Sequence, residues 1–345
     1  MDVSIEVVLN PSTHARSSIG TRTPRHEGEL IAKSPLMRRV LELARRAASS
    51  QATVLISGES GTGKERVARF IHESSPRRQG PLVAVNCGAL PEQLLESELF
   101  GHRKGAFTGA TAEAKGLFVA AERGTLFLDE IGETTASLQV RLLRALQERT
   151  VRPVGSTSDR AVDVRIVAAT NQDLEALVGA GRFRKDLYYR LSVVNLEIPP
   201  LRERREDLLP LARAFIGRTC KENACGPCAL SSEVLDRLLA YNWPGNVREL
   251  ENAIERAVIL AENQPTVRIE DLPPEIRRVP KVTSTVRDDS VRTLAEVEKQ
   301  HILQILERLG GNRRATAKAL GIGENTLWRK LKSYGLVQPR RSRSR

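Results

Sequence analysis

The 345-residue chain has few of the features that mark secreted and membrane proteins. It contains only 4 cysteines, which is too few for a disulfide framework at this length and makes a reducing cytoplasm the expected compartment. No apolar run approaches the roughly 18 residues that a membrane span requires. Residues 1–10, MDVSIEVVLN, have no basic start and are followed by no apolar core or cleavage site, which excludes a signal peptide.

Positive charge is concentrated at one end of the chain. The 54 Lys and Arg residues outnumber the 42 Asp and Glu residues, so the net charge is +12. Residues 281–345 hold 15 basic and 6 acidic residues and therefore account for +9 of that charge. A basic end on a nearly neutral body indicates a tail domain that binds nucleic acid, and a solvated charged surface is the alternative.

Residues 30–199 alternate short apolar runs with longer helical patterns. Apolar runs that are separated by helices are typical of a parallel sheet with helices on both faces. The sequence therefore predicts an α/β fold with strands at Thr53–Ser57, Leu82–Asn86, Thr125–Leu128, Val164–Ala169 and Val193–Ile198.

A second, all-helical unit is predicted after Pro199 and Pro200, because only helical periodicity continues from Leu201 to Leu260. A polar linker with several prolines follows, and then an amphipathic helix at Thr293–Leu309. A short helix, a glycine turn and a helix at Glu324–Tyr334 complete the outline of a helix-turn-helix.

The segment GESGTGK, residues 58–64, matches the phosphate-binding pattern G-x-x-x-x-G-K. It follows a predicted strand and opens a predicted helix, so backbone N–H groups can surround phosphates while Lys64 reaches the β- and γ-phosphates. Glu65 stands where Ser or Thr usually contacts Mg²⁺, so the metal must rely on another group. The predicted nucleotide-binding residues here are Gly58, Glu59, Ser60, Gly61, Thr62, Gly63, Lys64 and Glu65.

An apolar strand that ends in two acids, LFLDE at residues 126–130, can supply that group. We expect Asp129 to order the Mg²⁺ shell and Glu130 to activate the attacking water. A structural acid pair is the alternative, but the phosphate loop occurs in the same chain. The two motifs together predict an enzyme that binds ATP and Mg²⁺ and hydrolyses the ATP.

The chain resembles the sigma-54-dependent transcriptional activators, which are bacterial enhancer-binding proteins of the AAA+ class. The resemblance covers about residues 29–335, and its most specific element is the hexapeptide GAFTGA. In the family this hexapeptide is a surface loop that touches the sigma factor and moves with the nucleotide state. The resemblance implies that sigma-54 is contacted by Gly105, Ala106, Phe107, Thr108, Gly109 and Ala110.

Several other residues of the family motifs have counterparts in this chain. The resemblance implies that Asn86 pairs with Glu130 and couples ATP to loop movement, and that Asn171 helps to position the attacking water. Arg248, in WPGNVREL, matches a lid residue that closes over the nucleotide. Arg123 stands where the family usually has Gly before the acidic strand, so the resemblance does not fix the geometry of this turn.

Arg184 and Arg190, in GRFRKDLYYRL, match the family's arginine fingers, which reach the γ-phosphate of a neighbouring subunit. This match implies dimers that assemble into a hexameric or heptameric ring. The other implied partners are enhancer DNA and the sigma-54 RNA polymerase holoenzyme, which the ring remodels from the closed to the open complex. A DNA-binding regulator or repressor that works without sigma-54 is the alternative, and the intact GAFTGA argues against it.

The C-terminal end resembles a Fis-type helix-turn-helix, whose second helix lies in the major groove. Leu327 and Leu331 are predicted to be core residues, because their spacing places them on one helix face. The helix at Thr293–Leu309 is predicted to dimerise these domains. The residues expected to face DNA are Asn325, Thr326, Trp328, Arg329 and Lys330, with Lys332 at phosphates.

Motifs and resemblance together define the expected domains. Residues 1–28 are too few to fold the receiver or GAF sensor that most family members carry, so control by a separate protein, by expression level or through cysteines is expected. The domains are a flexible tail at 1–28, an AAA+ α/β nucleotide-binding subdomain at 29–200, an AAA+ helical lid at 201–279, a linker at 280–291, a Fis-type helix-turn-helix domain at 292–337 and a basic tail at 338–345.

Three cysteines, Cys220, Cys225 and Cys228, cluster in KENACGPCAL. They are most simply incidental residues of a lid loop. A redox pair at Cys225 and Cys228 and a metal or iron–sulfur site are the alternatives, although no fourth ligand lies nearby in sequence.

Overall fold

The computed structural model describes residues 7–8, 30–107, 110–262, 264–278, 298–299, 301–303, 305–306 and 309–334. The chain divides into two compact units, residues 1–281 and residues 282–345. Among the described helices, none combines the length and apolarity that a membrane crossing requires.

A six-stranded sheet forms the centre of the first unit. The five predicted strands are present and parallel, and a short strand at Val7–Val8 adds an antiparallel edge within the predicted flexible tail. The rest of that tail lies outside the described residues. In sheet order the strands are β1 (Val7–Val8), β3 (Leu82–Asn86), β6 (Thr125–Asp129), β9 (Arg165–Thr170), β2 (Val54–Ser57) and β10 (Val194–Glu197).

Helices cover both faces of this sheet, as the apolar runs predicted. Alternate residues of β2 enter opposite cores: Val54 and Ile56 pack with Ile71, whereas Leu55 packs with Leu142. The α/β prediction is confirmed. The helices of this subdomain are α1 (Pro35–Ala48), α2 (Lys64–Glu73), α3 (Glu92–Phe100), α4 (Leu117–Ala120), α5 (Ala136–Glu148), α6 (Leu174–Gly179) and α7 (Lys185–Leu191).

Two small antiparallel ribbons lie beside the main sheet. The first, β4 (Gly101–His102) with β5 (Ala114–Lys115), joins the two ends of the segment that contains GAFTGA. The second is β7 (Thr150–Val151) with β8 (Arg160–Ala161). A parallel bridge between His102 and Val154 connects the regions of the two ribbons.

The lid consists of α8 (Leu208–Glu222), α9 (Ser232–Ala240), α10 (Asn246–Leu260) and α11 (Pro274–Arg277). Trp243 is fully buried between α9 and α10, and its indole N–H donates to the carbonyl oxygen of Leu238 at 2.9 Å. The lid is helical as predicted, with one addition: β11 (Ala229–Leu230) pairs in parallel with β12 (Thr266–Val267). Strands of two residues carry no readable periodicity, which is why the sequence did not indicate them.

The second unit contains two adjacent helices, α12 (Arg313–Ala319) and α13 (Glu324–Ser333). Asn312 caps α12, since its side chain accepts from the N–H of Ala315 at 3.1 Å. Leu327 and Leu331 are buried with Ile302, so their prediction as core residues is confirmed. Parts of the predicted helix at Thr293–Leu309 lie outside the described residues, and 298–299, 301–303 and 305–306 are helical.

Candidate active site and nucleic-acid interface

The phosphate loop joins β2 to α2 and uses backbone conformations that favour glycine. Gly61 and Gly63 have φ values of +75° and +99°. A Cβ on Gly61 would lie 2.4 Å from the carbonyl oxygen of Gly245 in the lid, so the lid approaches the loop too closely for any larger residue. Gly63 is the N-cap of α2, which places the free N–H groups of that helix at the loop.

Lys64 turns its ammonium group towards the loop. Its Nζ donates to the carbonyl oxygens of Gly58, at 2.8 Å, and of Glu59, at 3.1 Å. Burial lowers the pKa of Lys64, and the carboxylates of Asp129 and Glu130 oppose that shift. The structure therefore brings the predicted lysine and the two predicted acids into one site.

The two acids at the end of β6 have different surroundings. Burial raises the pKa of Asp129, while Lys64 and the N–H of Glu130, which donates to Asp129 Oδ1 at 3.0 Å, act in the opposite direction. Glu130 has a φ of +53°, which costs energy for a residue with a Cβ. Two neighbouring carboxylates in different environments can take different chemical roles.

Asn86 is the last residue of β3 and Asn171 directly follows β9, the strands on either side of β6. Asn86 is opposite Asp129 in the strand register, and its Oδ1 accepts from the N–H of Gly88 at 2.8 Å. The expected hydrogen bond from Asn86 to Glu130 is absent among the described residues. Both side chains approach Gly88, since a Cβ there would be 2.8 Å from Glu130 Oε2 and 3.4 Å from Asn86 Oδ1.

The Glu65 side chain is exposed beside the site and is paired within its own helix. It is 57% exposed and forms an ion pair with Arg69, one turn further along α2, at 3.7 Å. Its carboxylate is also near enough to Asp129 to contribute to the raised pKa of that residue. The guanidinium of Arg69 therefore offsets part of the repulsion that the Glu65 carboxylate would exert on phosphates.

Arg184 and Arg190 lie at the two ends of α7 and are both exposed. Arg184 forms a bidentate pair with Asp186, at 3.0 and 2.7 Å, and Arg190 donates to the carbonyl oxygen of Leu146 at 3.0 Å. Tyr189, between them, is 62% exposed. A surface with two arginines and an exposed aromatic ring has the composition of a contact between proteins.

The described residues of the GAFTGA segment are joined by backbone hydrogen bonds. The N–H of Gly105 donates to the carbonyl oxygen of Ala110 at 2.9 Å, and the N–H of Ala110 donates to that of Phe107 at 3.0 Å. The Phe107 side chain is 42% exposed and meets the ring of His102 edge-on at 5.0 Å, so it is not part of the core. Thr108 and Gly109 lie outside the described residues.

The lid contacts the phosphate loop at several points that the motifs did not indicate. Arg202 forms a bidentate pair with Glu59, at 2.9 and 2.6 Å, and Asn246 donates to the same carboxylate at 3.0 Å. These partners lower the pKa of Glu59 to about 2. Arg248 follows on α10, and its N–H donates to the carbonyl oxygen of Gly61 at 3.3 Å.

The exposed side of α13 carries most of the residues predicted to face DNA. Asn325, Trp328, Arg329 and Lys332 are exposed and Thr326 is half-buried, with the Lys332 ammonium 5.2 Å from the Trp328 ring centre. Lys330 differs, because its Nζ forms an ion pair with Glu298 at 2.6 Å within the same unit. In the structure the Lys330 side chain therefore contacts the preceding helical segment, and its role at DNA stays a prediction.

Three consecutive regions of the chain match known protein families. Residues 30–197 match the sigma-54 interaction domain, residues 202–289 match the AAA+ ATPase lid domain, and residues 293–334 match the bacterial regulatory proteins of the Fis family. The chain is 52% identical over 319 residues to the transcriptional regulatory protein ZraR of Klebsiella oxytoca, which covers 92% of this chain and 72% of that protein.

The chain belongs to the sigma-54-dependent transcriptional activators. It is 48% identical over 314 residues to the response regulator protein PilR of Pseudomonas aeruginosa, covering 90% of this chain and 70% of that one. Crystal structures of NtrX from Brucella abortus with ATP and with ADP resemble it, each with a TM-score of 0.67 and 35% identity over 89% of this chain and 69% of that chain. This activator is an AAA+ ATPase with a Fis-type DNA-binding domain.

The three lid cysteines of this activator pack against one core. Cys220 is buried, Cys225 and Cys228 are half-buried beside it, and the N–H of Cys225 donates to the carbonyl oxygen of Cys220 at 3.0 Å. Burial is the main cause that raises the pKa of Cys220 and of Cys228. In the part of the chain that the structure describes, no three His, Cys, Asp or Glu residues are grouped to hold a metal.

Proposed function

We propose that this activator binds enhancer DNA, assembles into a ring and uses ATP hydrolysis to remodel the sigma-54 RNA polymerase closed complex into the open complex. One observation carries the proposal: Lys64, Asp129 and Glu130 share one site within a domain that matches the sigma-54 interaction family. RNA polymerase and the chromosome are in the cytoplasm, and we infer that the chain works there.

The proposed hydrolysis site divides its roles among these side chains. Lys64 and the N–H groups at the start of α2 hold the phosphates, and Glu130 takes a proton from the attacking water. Asn171 orients that water, and Arg248 approaches the nucleotide from the lid. Asn86, whose side chain lies beside Gly88 as that of Glu130 does, is the proposed link between the base and the rest of the subdomain.

The residues of the site fit a Mg²⁺ ion that arrives with the nucleotide. Asp129 offers a half-buried carboxylate next to Lys64, and the exposed Glu65 is paired with Arg69. One carboxylate together with phosphate oxygens and water is the usual way in which proteins hold this ion. When bound, Mg²⁺ would neutralise charge on the phosphates, and Asp129 is the residue that would hold it.

A ring places the exposed arginines where hydrolysis needs them. Arg184 and Arg190 lie on the surface, and each is held by a neighbour in its own subunit. We propose that one or both exchange that neighbour for the γ-phosphate bound to an adjacent copy, where they stabilise the charge of the transition state. Catalysis then depends on the assembly of DNA-bound dimers into a hexamer or heptamer.

The substitution Thr108→Ala tests the proposed function. The GAFTGA turn emerges from the β4–β5 ribbon, and Thr108 is distant in sequence from both nucleotide motifs. We expect the variant to retain ATP hydrolysis and to lose sigma-54 binding and transcription activation, measured in parallel with purified components. Ser49→Ala, at the exposed C-terminal end of α1, serves as the control and is expected to retain all three activities. Full activation by the Thr108 variant would overturn the assignment of this loop.

A further inference from the structure

Each of the four residues between Gly58 and Gly63 in the phosphate loop accepts a hydrogen bond from the lid. The Glu59 carboxylate accepts from Arg202 and Asn246, and the carbonyl oxygen of Ser60 accepts from Asn246 at 3.1 Å. The two following carbonyl oxygens are held as well. That of Gly61 accepts from the N–H of Val247 at 2.9 Å, and that of Thr62 accepts from Arg204 Nη2 at 2.7 Å. We call the donors Arg202, Arg204, Asn246 and the N–H of Val247 the lid clamp.

Asn246 is the central residue of the lid clamp. It is fully buried and has a φ of +54°, a conformation in which asparagine is common. Its Nδ2 donates to Glu59 and Ser60, and its Oδ1 accepts from the N–H of Leu201 at 2.8 Å. One amide group therefore connects the phosphate loop, the start of the lid and the first residue of α10.

The contact between Arg202 and Glu59 is charged but open to solvent. The two side chains are 39% and 42% exposed, so substitution of Arg202 removes no core packing. The carboxylate accepts from both the guanidinium and the amide, and their donor groups face it from different parts of the lid. Replacement of this carboxylate by an amide would lose the ionic part of both bonds.

The direction of these bonds matters for phosphate binding. A loop that presents its N–H groups to phosphates must turn carbonyl oxygens the other way, and those oxygens need donors. The lid clamp supplies donors for the carbonyl oxygens of Ser60, Gly61 and Thr62. It also fixes the start of α10 on the loop, and with it the position of Arg248.

We propose that Asn246 and Arg202 are positioning residues that hold the phosphate loop in its nucleotide-binding shape through the lid. The loop then meets the nucleotide with its conformation already fixed, which reduces the entropy lost on binding. Because the hydrogen bonds of the lid clamp go to loop residues, we expect the clamp to favour ADP and ATP analogues equally. The proposal rests on nucleotide binding at this loop and does not depend on sigma-54.

A double-mutant cycle on the full-length chain tests the proposal, with fluorescent ADP and ATPγS as probes. Asn246→Asp keeps the acceptor for Leu201 but places a carboxylate against Glu59, and we expect the Kd for both nucleotides to rise about tenfold. Glu59→Gln should also weaken binding, although it removes a negative charge near the phosphates. In the double variant the amide introduced at position 59 can donate to the carboxylate introduced at position 246, so the Kd should be lower than the two single effects predict.

Two further variants complete the experiment. Arg202→Ala removes an exposed member of the clamp and should raise the Kd for both nucleotides even if Asn246→Asp does not fold. Arg218→Ala, which breaks a lid ion pair with Glu251 that does not touch the loop, should bind both nucleotides as the unmodified chain does. The proposal is overturned if Arg202→Ala binds normally, if Glu59→Gln binds more tightly, or if the single effects of the cycle simply add.

Discussion

At the scale of single residues, the site places charges of opposite sign around the position of the phosphates. Burial of Lys64 lowers the pKa of its ammonium group, and the nearby carboxylates of Asp129 and Glu130 help to keep it protonated. Glu130 lies in a left-handed turn that continues away from β6, next to Gly88. This position suits a base that must reach a water molecule beside the phosphates.

We expect Glu130→Gln to bind ATP with nearly unchanged affinity and to lose hydrolysis, since an amide cannot accept the proton of the attacking water. General-base removal typically reduces the rate by about 10²–10⁴-fold. Steady-state phosphate release and nucleotide titration measure the two effects separately. Glu122→Gln, a surface acid of the same subdomain, should leave both unchanged, and rapid hydrolysis by the Glu130 variant would exclude it as the base.

The motifs identified Lys64, Asp129 and Glu130 because the phosphate loop and the acidic strand each form a pattern of a few consecutive residues. They did not predict how Glu65 and Asn86 are oriented, since side-chain direction depends on neighbours such as Arg69 and the N–H of Gly88. Arg123 illustrates the same limit. It adopts a φ of +57° where the family usually has Gly, so the turn keeps its shape with a less favourable residue.

At the scale of elements, α13 shows how one helix serves two surfaces. Leu327 and Leu331 face the core, Lys330 faces Glu298, and the side that carries Arg329 is open. Periodicity predicted the buried face correctly, because leucines four residues apart share a side of a helix. It could not separate Lys330 from Arg329, since the partner of Lys330 lies 32 residues away in the chain.

The two adjacent basic residues of α13 provide a matched comparison. We expect Arg329→Ala to weaken binding to the enhancer site about tenfold or more, because arginine can read guanine in the major groove. Lys330→Ala removes the same charge but should have a smaller effect. Fluorescence anisotropy with labelled DNA at several salt concentrations measures both. A greater loss for the lysine variant would show that Lys330, and not Arg329, makes the stronger DNA contact.

Strands and helices of ordinary length were the most predictable elements. The apolar run of β9 is buried along its whole length, and its bounds differ from the predicted ones by a single residue at each end. The pair β11 and β12 was missed because each strand has only 2 residues. Their pairing depends on the tertiary packing of the lid and not on local sequence.

At the scale of the whole molecule, the basic residues of the two units have different proposed roles. The basic surplus lies mainly in the DNA-binding unit, residues 282–345, whereas key arginines of the first unit are proposed to act on nucleotide or on the loop that holds it. The lid clamp could not be predicted from motifs. Asn246 meets Glu59 across 187 residues of sequence, and only the folded lid brings them together.

Mixing two inactive variants tests catalysis between subunits. Arg184→Ala lacks the proposed finger but keeps its own Glu130, and Glu130→Gln lacks the base but keeps Arg184. A mixed ring contains interfaces where both groups are intact, so ATP hydrolysis should recover in part on mixing and increase with chain concentration. The variants are measured alone and in mixtures of varying ratio. Absence of recovery in rings that demonstrably contain both chains would contradict action in trans by Arg184.

Promoter opening tests the central claim most directly. The chain, sigma-54 RNA polymerase holoenzyme and DNA carrying an enhancer and a sigma-54 promoter are combined, and strand separation is followed by the reactivity of unpaired thymines. We predict opening with ATP, and none with a non-hydrolysable analogue or with the Glu130→Gln chain. Opening without hydrolysis, or no opening by a chain that hydrolyses ATP and occupies the enhancer, would contradict the account.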